Sequence, residues 1–204
     1  MNQRSAFYWV VVILIAALLI GLAFYLDDSV RHFIAQHQSR GLRQFMQGVS
    51  RFGDWPEHFV FGLILAAVAW WRGRKKWTRI FLCMLIALAI AGLAGRVIQI
   101  TTGRARPSVK TEQVWNGIRF GAKYHAFPSG HVGASSAFFG VLVFVRRRVG
   151  LICMAIPLLI GISRIYLEAH YLSDVLCAAI LGLLCAFFTT RVFLRPIGNY
   201  QLEI

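Results

Sequence analysis

Residues 149–188 read VGLICMAIPLLIGI, SRIYLEAHYLSD and VLCAAILGLLCAFF, a polar stretch between two apolar runs. Each apolar run, with its flanks, approaches the roughly 17–25 residues that a helix needs to cross the hydrocarbon core of a bilayer. The polar stretch 163–174 holds an arginine, a glutamate, a histidine and an aspartate. Because ionisable residues at membrane depth are costly and usually functional, the pattern predicts a membrane protein with a polar site between two spans.

The rest of the chain has the same apolar character. Of its 204 residues, 58% are hydrophobic, more than the roughly half that is usual in soluble domains. The apolar segments that approach spanning length are Phe7–Leu26, Glu57–Trp71, Ile80–Thr102, Ser129–Val145, Val149–Ile165 and Tyr171–Leu194. Since backbone groups in lipid must be satisfied within their own segment, we expect an all-α integral membrane bundle of six transmembrane helices, forming one domain over residues 1–204.

Residues 27–56, between the first and second spans, mix polar and apolar residues. The apolar residues that recur at approximately helical spacing are Phe33, Ile34, Leu42, Phe45, Met46 and Val49. This spacing predicts one or two amphipathic helices that lie on the outer membrane surface.

The net charge of +14 comes largely from basic residues in the gaps between apolar runs. That distribution is typical of membrane topology, so we expect no nucleic-acid partner. The segments 72–79 and 146–148 are short, basic and free of acidic residues, which favours their location on the inner side of the membrane. Both termini, including Arg4 and Arg195, then lie on the same inner side. This topology places residues 103–127, the Ser129 end of span four and residues 163–174 at the outer face.

Residues 128–131, Pro-Ser-Gly-His, begin the fourth apolar segment. Proline suits a first helical turn and serine caps it, so the opening amides have no backbone partners. Gly130 permits close approach, and such a helix end binds anions beside His131. From the tetrapeptide alone, an ordinary helix start with an interfacial histidine is equally consistent.

The stretch 163–174 carries the more specific pattern. His170 and Asp174 are four residues apart, so they share one face if they lie on a helix. A carboxylate that holds one ring nitrogen leaves the other nitrogen free to act as a nucleophile. Arg164 precedes them and can hold phosphate, as can Arg106, with Arg104 as an additional cation in the same loop. The alternative is a set of polar residues at a helix–water boundary.

Together these segments resemble the type 2 phosphatidic acid phosphatase superfamily. The family pattern is a lysine, six residues and Arg-Pro; then Pro-Ser-Gly-His; then Ser-Arg, five residues, His, three residues and Asp. Residues 128–131 match the second motif, and Ser163, Arg164, His170 and Asp174 match the third without a gap. The resemblance covers residues 99–174.

The resemblance implies that His170 attacks phosphorus to form a phosphohistidine, that Asp174 orients it, and that His131 protonates the leaving oxygen. It implies no metal and no cofactor. The implied phosphate-binding groups are Arg106, Arg164, Ser129 and the amide of Gly130.

One position departs from the family pattern. The lysine should lie seven residues before Arg106, where this chain has Gln99, a hydrogen-bond donor without charge. Arg96, one helical turn earlier, and Lys123, in the outer loop, are the two candidates to replace the missing cation. A snorkelling or paired arginine explains Arg96 equally well.

The leading interpretation is a membrane lipid phosphatase that removes a terminal phosphate at the outer face of a bacterial inner membrane. Its substrate would be phosphatidylglycerol phosphate, undecaprenyl diphosphate, phosphatidic acid or lipid A. The alternatives are a lipid-to-lipid phosphotransferase, a vanadate-dependent haloperoxidase and a non-catalytic lipid transporter. The sequence fixes neither the substrate nor the oligomeric state.

Overall fold

A computed structural model describes residues 3–109 and 111–194, and this part of the chain is helical with no β-strand. The all-α prediction is therefore confirmed. The ends of the predicted domain, including Arg195, lie outside the described residues. The α-helices of the described part are α1 (Gln3–Gln36), α2 (Arg40–Arg51), α3 (Trp55–Trp71), α4 (Lys75–Thr102), α5 (Gly130–Val145), α6 (Arg147–Cys153), α7 (Ala155–Tyr166) and α8 (Leu172–Phe193).

Within residues 3–109 and 111–194, four helical segments are long and apolar enough to cross a membrane: Trp9–Gln36, Lys75–Thr102, Arg147–Tyr166 and Leu172–Phe193. The third combines α6 and α7, which are separated at Met154, shortly before Pro157. Helices α3 and α5 have 17 and 16 residues. At 1.5 Å per residue they rise about 26 Å and 24 Å, less than the core thickness of about 30 Å. The count of six spans therefore stays a prediction.

The first helix does not end at Leu26 as the sequence suggested. Helix α1 continues through residues 27–36, so this part of the predicted surface segment extends the first span. Residues 27–36 contain no glycine or proline that would interrupt the helix, and Asp27 is buried in an ion pair instead of facing water. Helix α2 begins after Ser39, whose hydroxyl accepts the Leu42 amide at 3.3 Å.

The core lies where α4, α5 and α8 meet, and α5 is buried along most of its length. Helices α5 and α8 approach closely because small residues line their contact. A methyl group added at Gly182 would lie 2.5 Å from the carbonyl oxygen of Gly133 and 2.8 Å from the amide nitrogen of Ala137. Small residues allow this backbone approach, on which membrane helix packing depends. The contact fixes α5 and α8, the two helices whose N-terminal ends carry residues 128–131 and 170–174.

We predict that Gly182→Ala destabilises the protein by about 1–3 kcal/mol, the usual effect of an extra methyl group in a packed core. The measurement is thermal unfolding in detergent. Gly21→Ala is the matched control, because an added methyl group at Gly21, also inside a helix, meets nothing within 4 Å. Alanine favours helix over glycine, so Gly21→Ala should be neutral or stabilising. Equal unfolding temperatures for the two variants would contradict the predicted close contact.

Candidate active site

The loop after α4 brings the predicted segments together. Gly103 ends α4 in a left-handed conformation with φ of 55°, where an added methyl group would collide with the carbonyl oxygen of Gly117. Two backbone hydrogen bonds hold the loop that follows Gly103. The Arg106 amide donates to the Lys123 carbonyl at 3.0 Å, and the Ala126 amide donates to the Arg104 carbonyl at 3.0 Å. These bonds place residues 103–107 beside the start of α5.

The N-terminal ends of α5 and α8 are tied to each other. The Ser129 amide donates to the backbone carbonyl of Asp174 at 3.1 Å. Ser129 occupies the N-cap position of α5, as predicted, but its side chain makes no capping hydrogen bond. Its hydroxyl is buried and has no hydrogen-bond partner in the described part of the chain, which leaves it available to a bound oxygen atom.

His170 is buried in the turn before α8. Its Nδ1 donates to the Ala126 carbonyl at 2.7 Å. Because a carbonyl only accepts, the Nδ1 atom carries the ring proton, and in the neutral ring Nε2 keeps its lone pair. Burial lowers the pKa of His170, and the nearby Asp174 carboxylate opposes this only in part. His170 is therefore neutral near pH 7, as a nucleophilic imidazole must be.

Asp174 contacts His170 differently from the sequence-based expectation. Helix α8 begins at Leu172, so His170 precedes it and the two residues do not share a helix face. The closest distance between the Asp174 carboxylate and His170 Nδ1 is 3.7 Å, too long for a hydrogen bond. One carboxylate oxygen accepts the Tyr171 amide at 2.7 Å and the other accepts Arg104 Nη1 at 2.6 Å. Asp174 thus acts on the ring by charge, while the Ala126 carbonyl orients it.

His170 faces a cavity of about 620 Å³ between α3, α4 and α5. Its polar end includes Gln99, Arg106, Gly130 and His131. Its apolar wall follows α4 from Leu88 towards Gln99, and further apolar lining comes from Trp55, Phe59 and Leu93. The distance along α4 from Leu88 to Gln99 is about 16 Å at 1.5 Å per residue.

Arg106 lines the cavity and Arg164 does not, but the positive charges of both act on His131 and His170. Each Nε atom is buried and has no hydrogen-bond partner among the described residues, and Arg164 Nη1 donates to the hydroxyl of Ser50 in α2 at 2.7 Å. Burial lowers the pKa of Arg106, and the Asp174 carboxylate partly offsets this. No carboxylate lies within ion-pair distance of either guanidinium in residues 3–109 and 111–194. Two partly buried cations without a counterion form an environment suited to an anion.

Arg104 lies elsewhere. It is 4% exposed, does not line the cavity, and pairs with Asp27 at 2.7 Å and Asp174 at 2.6 Å. The aromatic rings of Phe24, Trp115 and Tyr171 cover its guanidinium at 4.2–5.3 Å. Both terminal nitrogens donate to the protein, while Nε is buried and has no hydrogen-bond partner among the described residues. The paired terminal nitrogens and the position outside the cavity favour a structural role over the phosphate contact expected from sequence.

Gln99 lines the cavity, but its amide is committed to the backbone. Its Nε2 donates to the Pro128 carbonyl at 2.9 Å and so supports residues 128–131. Arg96 also lines the cavity, whereas Lys123 does not and lies over the ring of Tyr124. Of the two candidates for the missing cation, the geometry favours Arg96.

A buried histidine holds Arg96 in place. Arg96 Nη1 lies 2.7 Å from Nδ1 of His125, whose Nε2 lies 3.0 Å from the Arg119 carbonyl. A carbonyl only accepts, so Nε2 carries the proton of His125 and Nδ1 accepts from Arg96. The guanidinium is therefore anchored by one nitrogen at the rim of the cavity.

Sequence reasoning missed four polar residues of this region: Asp27, Ser50, Asp54 and His125. Asp54 caps α3 and lies 3.9 Å from Nε2 of His131. The signal for Asp54 was local, since Asp-Trp-Pro-Glu is a typical helix start. The other three have partners far away in the chain and leave no local pattern.

Similarity to known proteins agrees with this geometry. Phosphatidylglycerophosphatase B of Bacillus subtilis is 26% identical over 191 residues, which cover 86% of this chain and 86% of that protein. Lipid A 1-phosphatase of Rhizobium johnstonii is 32% identical over 117 residues, 55% of this chain. The match covers 47% of that protein, so the chain spans about half of this relative's length.

The fold also matches a solved structure. A transmembrane PAP2 type phosphatidylglycerolphosphate phosphatase from Bacillus subtilis superposes with a TM-score of 0.70 at 25% identity, covering 98% of this chain and 100% of the other. Together with the apolar helices, these relatives support an integral membrane protein. The model of the PAP2 superfamily matches residues 80–197, more than half of the chain. The chain therefore belongs to the PAP2 superfamily.

Proposed function

We propose that this protein is a membrane lipid phosphatase that hydrolyses a terminal phosphate through a phosphohistidine intermediate. The observation that carries the proposal is the buried, neutral His170, whose Nδ1 proton is fixed by the Ala126 carbonyl while the ring lines a cationic cavity. Membership of the family and the lipid phosphatases among its relatives support a phosphatase activity.

In the first step, Nε2 of His170 attacks phosphorus and forms the N–P bond. The bond from phosphorus to the lipid oxygen breaks, and His131 donates a proton to that oxygen. Burial and the charge of Arg164 disfavour a protonated His131, and the negative charge of the bound phosphate opposes them. The ring of His170 becomes positively charged, and the Asp174 carboxylate 3.7 Å away stabilises this charge. Arg106, Arg164, the Ser129 hydroxyl and the Gly130 amide bind the phosphate oxygens.

In the second step, water attacks the phosphohistidine. His131 accepts a proton from the water, the N–P bond breaks, and inorganic phosphate leaves. His131 thus returns to its protonated form and His170 to its neutral form. Neither step needs a metal, because guanidinium groups and helix amides neutralise the phosphate charge.

The shape of the cavity supports a lipid substrate. Its apolar wall runs along α4 away from the polar end. Phe59, Leu93 and Trp55, which line it, are 37–70% exposed and face outwards between the helices. An acyl chain placed along this wall would bring its headgroup phosphate to His170. Phosphatidylglycerol phosphate is the first substrate to test, because a relative that covers 86% of this chain is named for it. Undecaprenyl diphosphate, phosphatidic acid and lipid A complete the panel.

The site lies at the end of the bundle opposite the basic loops, which we assign to the inner side. We therefore place the site at the outer face of a bacterial inner membrane. The charge distribution that supports this orientation is the short, acid-free basic segments 72–79 and 146–148. A transferase that passes phosphate from His170 to a second lipid remains the alternative within the same chemistry.

The central prediction concerns His170. His170→Ala should reduce phosphate release from the lipid panel by at least about 10³-fold, because removal of a nucleophile eliminates the covalent route. The measurement is inorganic phosphate release by purified protein. His32→Ala, at an exposed histidine of α1, should behave as wild type.

The control experiments separate the alternatives. A transporter would retain its lipid movement after His170→Ala and would release no phosphate. A phosphotransferase would transfer labelled phosphate to an added acceptor lipid and release little without one. Wild-type activity in His170→Ala would refute the proposed mechanism.

The pH dependence follows from the environment of His170. A histidine with a lowered pKa is protonated, and therefore inactive as a nucleophile, only at lower pH. We expect the acid limb of kcat/KM, where His170 takes up a proton, to lie below about 6.5, the ordinary pKa of histidine, whereas the alkaline limb belongs to the proton donor His131. Because phosphate itself ionises near pH 6, a monoester and a diphosphate should be compared. An acid limb above 6.5 with both substrates would contradict the prediction.

Arg96 gives a third prediction. If it supplies the missing cation, Arg96→Ala should raise KM by about 10- to 100-fold, corresponding to a charge-assisted hydrogen bond of about 1.5–3 kcal/mol. Arg96→Lys should retain most of the affinity. Arg72→Ala, in the basic loop after α3, is the control for a general loss of charge. An unchanged KM in Arg96→Ala would exclude this role.

A further inference from the structure

Asp27 is a buried carboxylate that the proposed reaction does not use. It lies within α1 and is 5% exposed. One carboxylate oxygen accepts the Ser173 amide at 2.9 Å, and the other accepts the Ser173 hydroxyl at 2.5 Å and Arg104 Nη2 at 2.7 Å. A buried carboxylate is costly unless it is paired, and these three donated hydrogen bonds satisfy Asp27.

The network extends from Asp27 to the proposed nucleophile. Arg104 Nη1 donates to the Asp174 carboxylate at 2.6 Å and to the Ser173 hydroxyl at 2.7 Å. The other Asp174 oxygen lies 3.7 Å from Nδ1 of His170. A chain of hydrogen bonds therefore connects α1, the loop after α4 and the start of α8, and it ends 3.7 Å from His170.

The charges in this network do not cancel. Two carboxylates, Asp27 and Asp174, share the single guanidinium of Arg104. Without Asp27, Arg104 would neutralise Asp174 alone. With Asp27, the network keeps a net negative charge beside His170, where positive charge develops when Nε2 bonds to phosphorus. Preorganised opposite charge at such a position stabilises the transition state.

We propose that Asp27 is a positioning residue, which through Arg104 and Ser173 holds Asp174 in place and preserves its negative charge towards His170. This inference rests on the proposed function. It assigns α1, which precedes the residues matched by the family model, a part in the reaction.

Other charged groups face the same residues. Arg164, Arg106 and His131 act on His170 from α7, the loop after α4 and α5. Arg31 and Glu168 line a small cavity together with Asp27. None of these groups is altered in the variants below, so their contribution is constant.

The test compares Asp27→Asn with Asp28→Asn. Asn keeps the shape of Asp27 but removes its charge, and Asp28 is an exposed aspartate on the same helix. We expect Asp27→Asn to lower kcat for phosphate release by about 10- to 100-fold, the size of effect that outer hydrogen-bond partners have on the ligands of metal sites. KM should be unchanged, since Asp27 does not line the substrate cavity. Asp28→Asn should match wild type.

The pH profile distinguishes charge from structure. With less negative charge beside it, His170 should be protonated only at lower pH, so the acid limb of kcat/KM should move to lower pH in Asp27→Asn. The double variant Asp27→Asn with Arg104→Gln removes both opposing charges and leaves no unpaired buried arginine. Its acid limb should return to the wild-type position or above it.

Each result decides one claim. An unchanged kcat and acid limb in Asp27→Asn would overturn the inference. A lower kcat with an unmoved acid limb would reduce Asp27 to a purely structural residue and also overturn it. If Asp27→Asn does not fold, the double variant decides. An acid limb below that of wild type in the double variant would also overturn the inference. Absence of phosphate release from wild type on the whole panel would instead refute the proposed function.

Discussion

The Asp174 carboxylate is completely buried at the start of α8, and the arrangement of the site follows from how it is paired. An unpaired carboxylate in such surroundings would cost several kcal/mol. The Tyr171 amide and the Arg104 guanidinium satisfy its oxygens, and its backbone carbonyl accepts the Ser129 amide. These bonds require the loop after α4 and the start of α5 to meet at the start of α8.

The close packing of α5 against α8 fixes the position of this meeting point. Small residues let the two backbones approach at Gly182, so neither helix can shift without a collision. The open space lies on the other side of α5, between α3 and α4, where the cavity combines a cationic end with an apolar wall. The same bundle thus holds the proposed reacting groups still and leaves a route for an apolar chain.

The arginines after α4 show how similar residues acquire different roles. Arg104 and Arg106 are two positions apart in one loop, yet Arg104 is buried among aromatic rings and carboxylates, whereas Arg106 lines the cavity. The partners of Arg104 are 70 and 77 residues away in the chain. Composition and spacing around the loop contain no information about such distant partners, so sequence reasoning gave both arginines the same role.

The sequence alone determined what depends on local pattern. The apolar segments established an all-helical membrane protein, and the spacing of residues 128–131 and 163–174 identified the family. Only the tertiary structure decided that Asp27 is buried, that the Ala126 carbonyl rather than Asp174 bonds to His170, and that Gln99 supports the Pro128 backbone. Periodicity along one helix is written in neighbouring residues, whereas the pairing of buried polar groups depends on which distant segments the packing brings together.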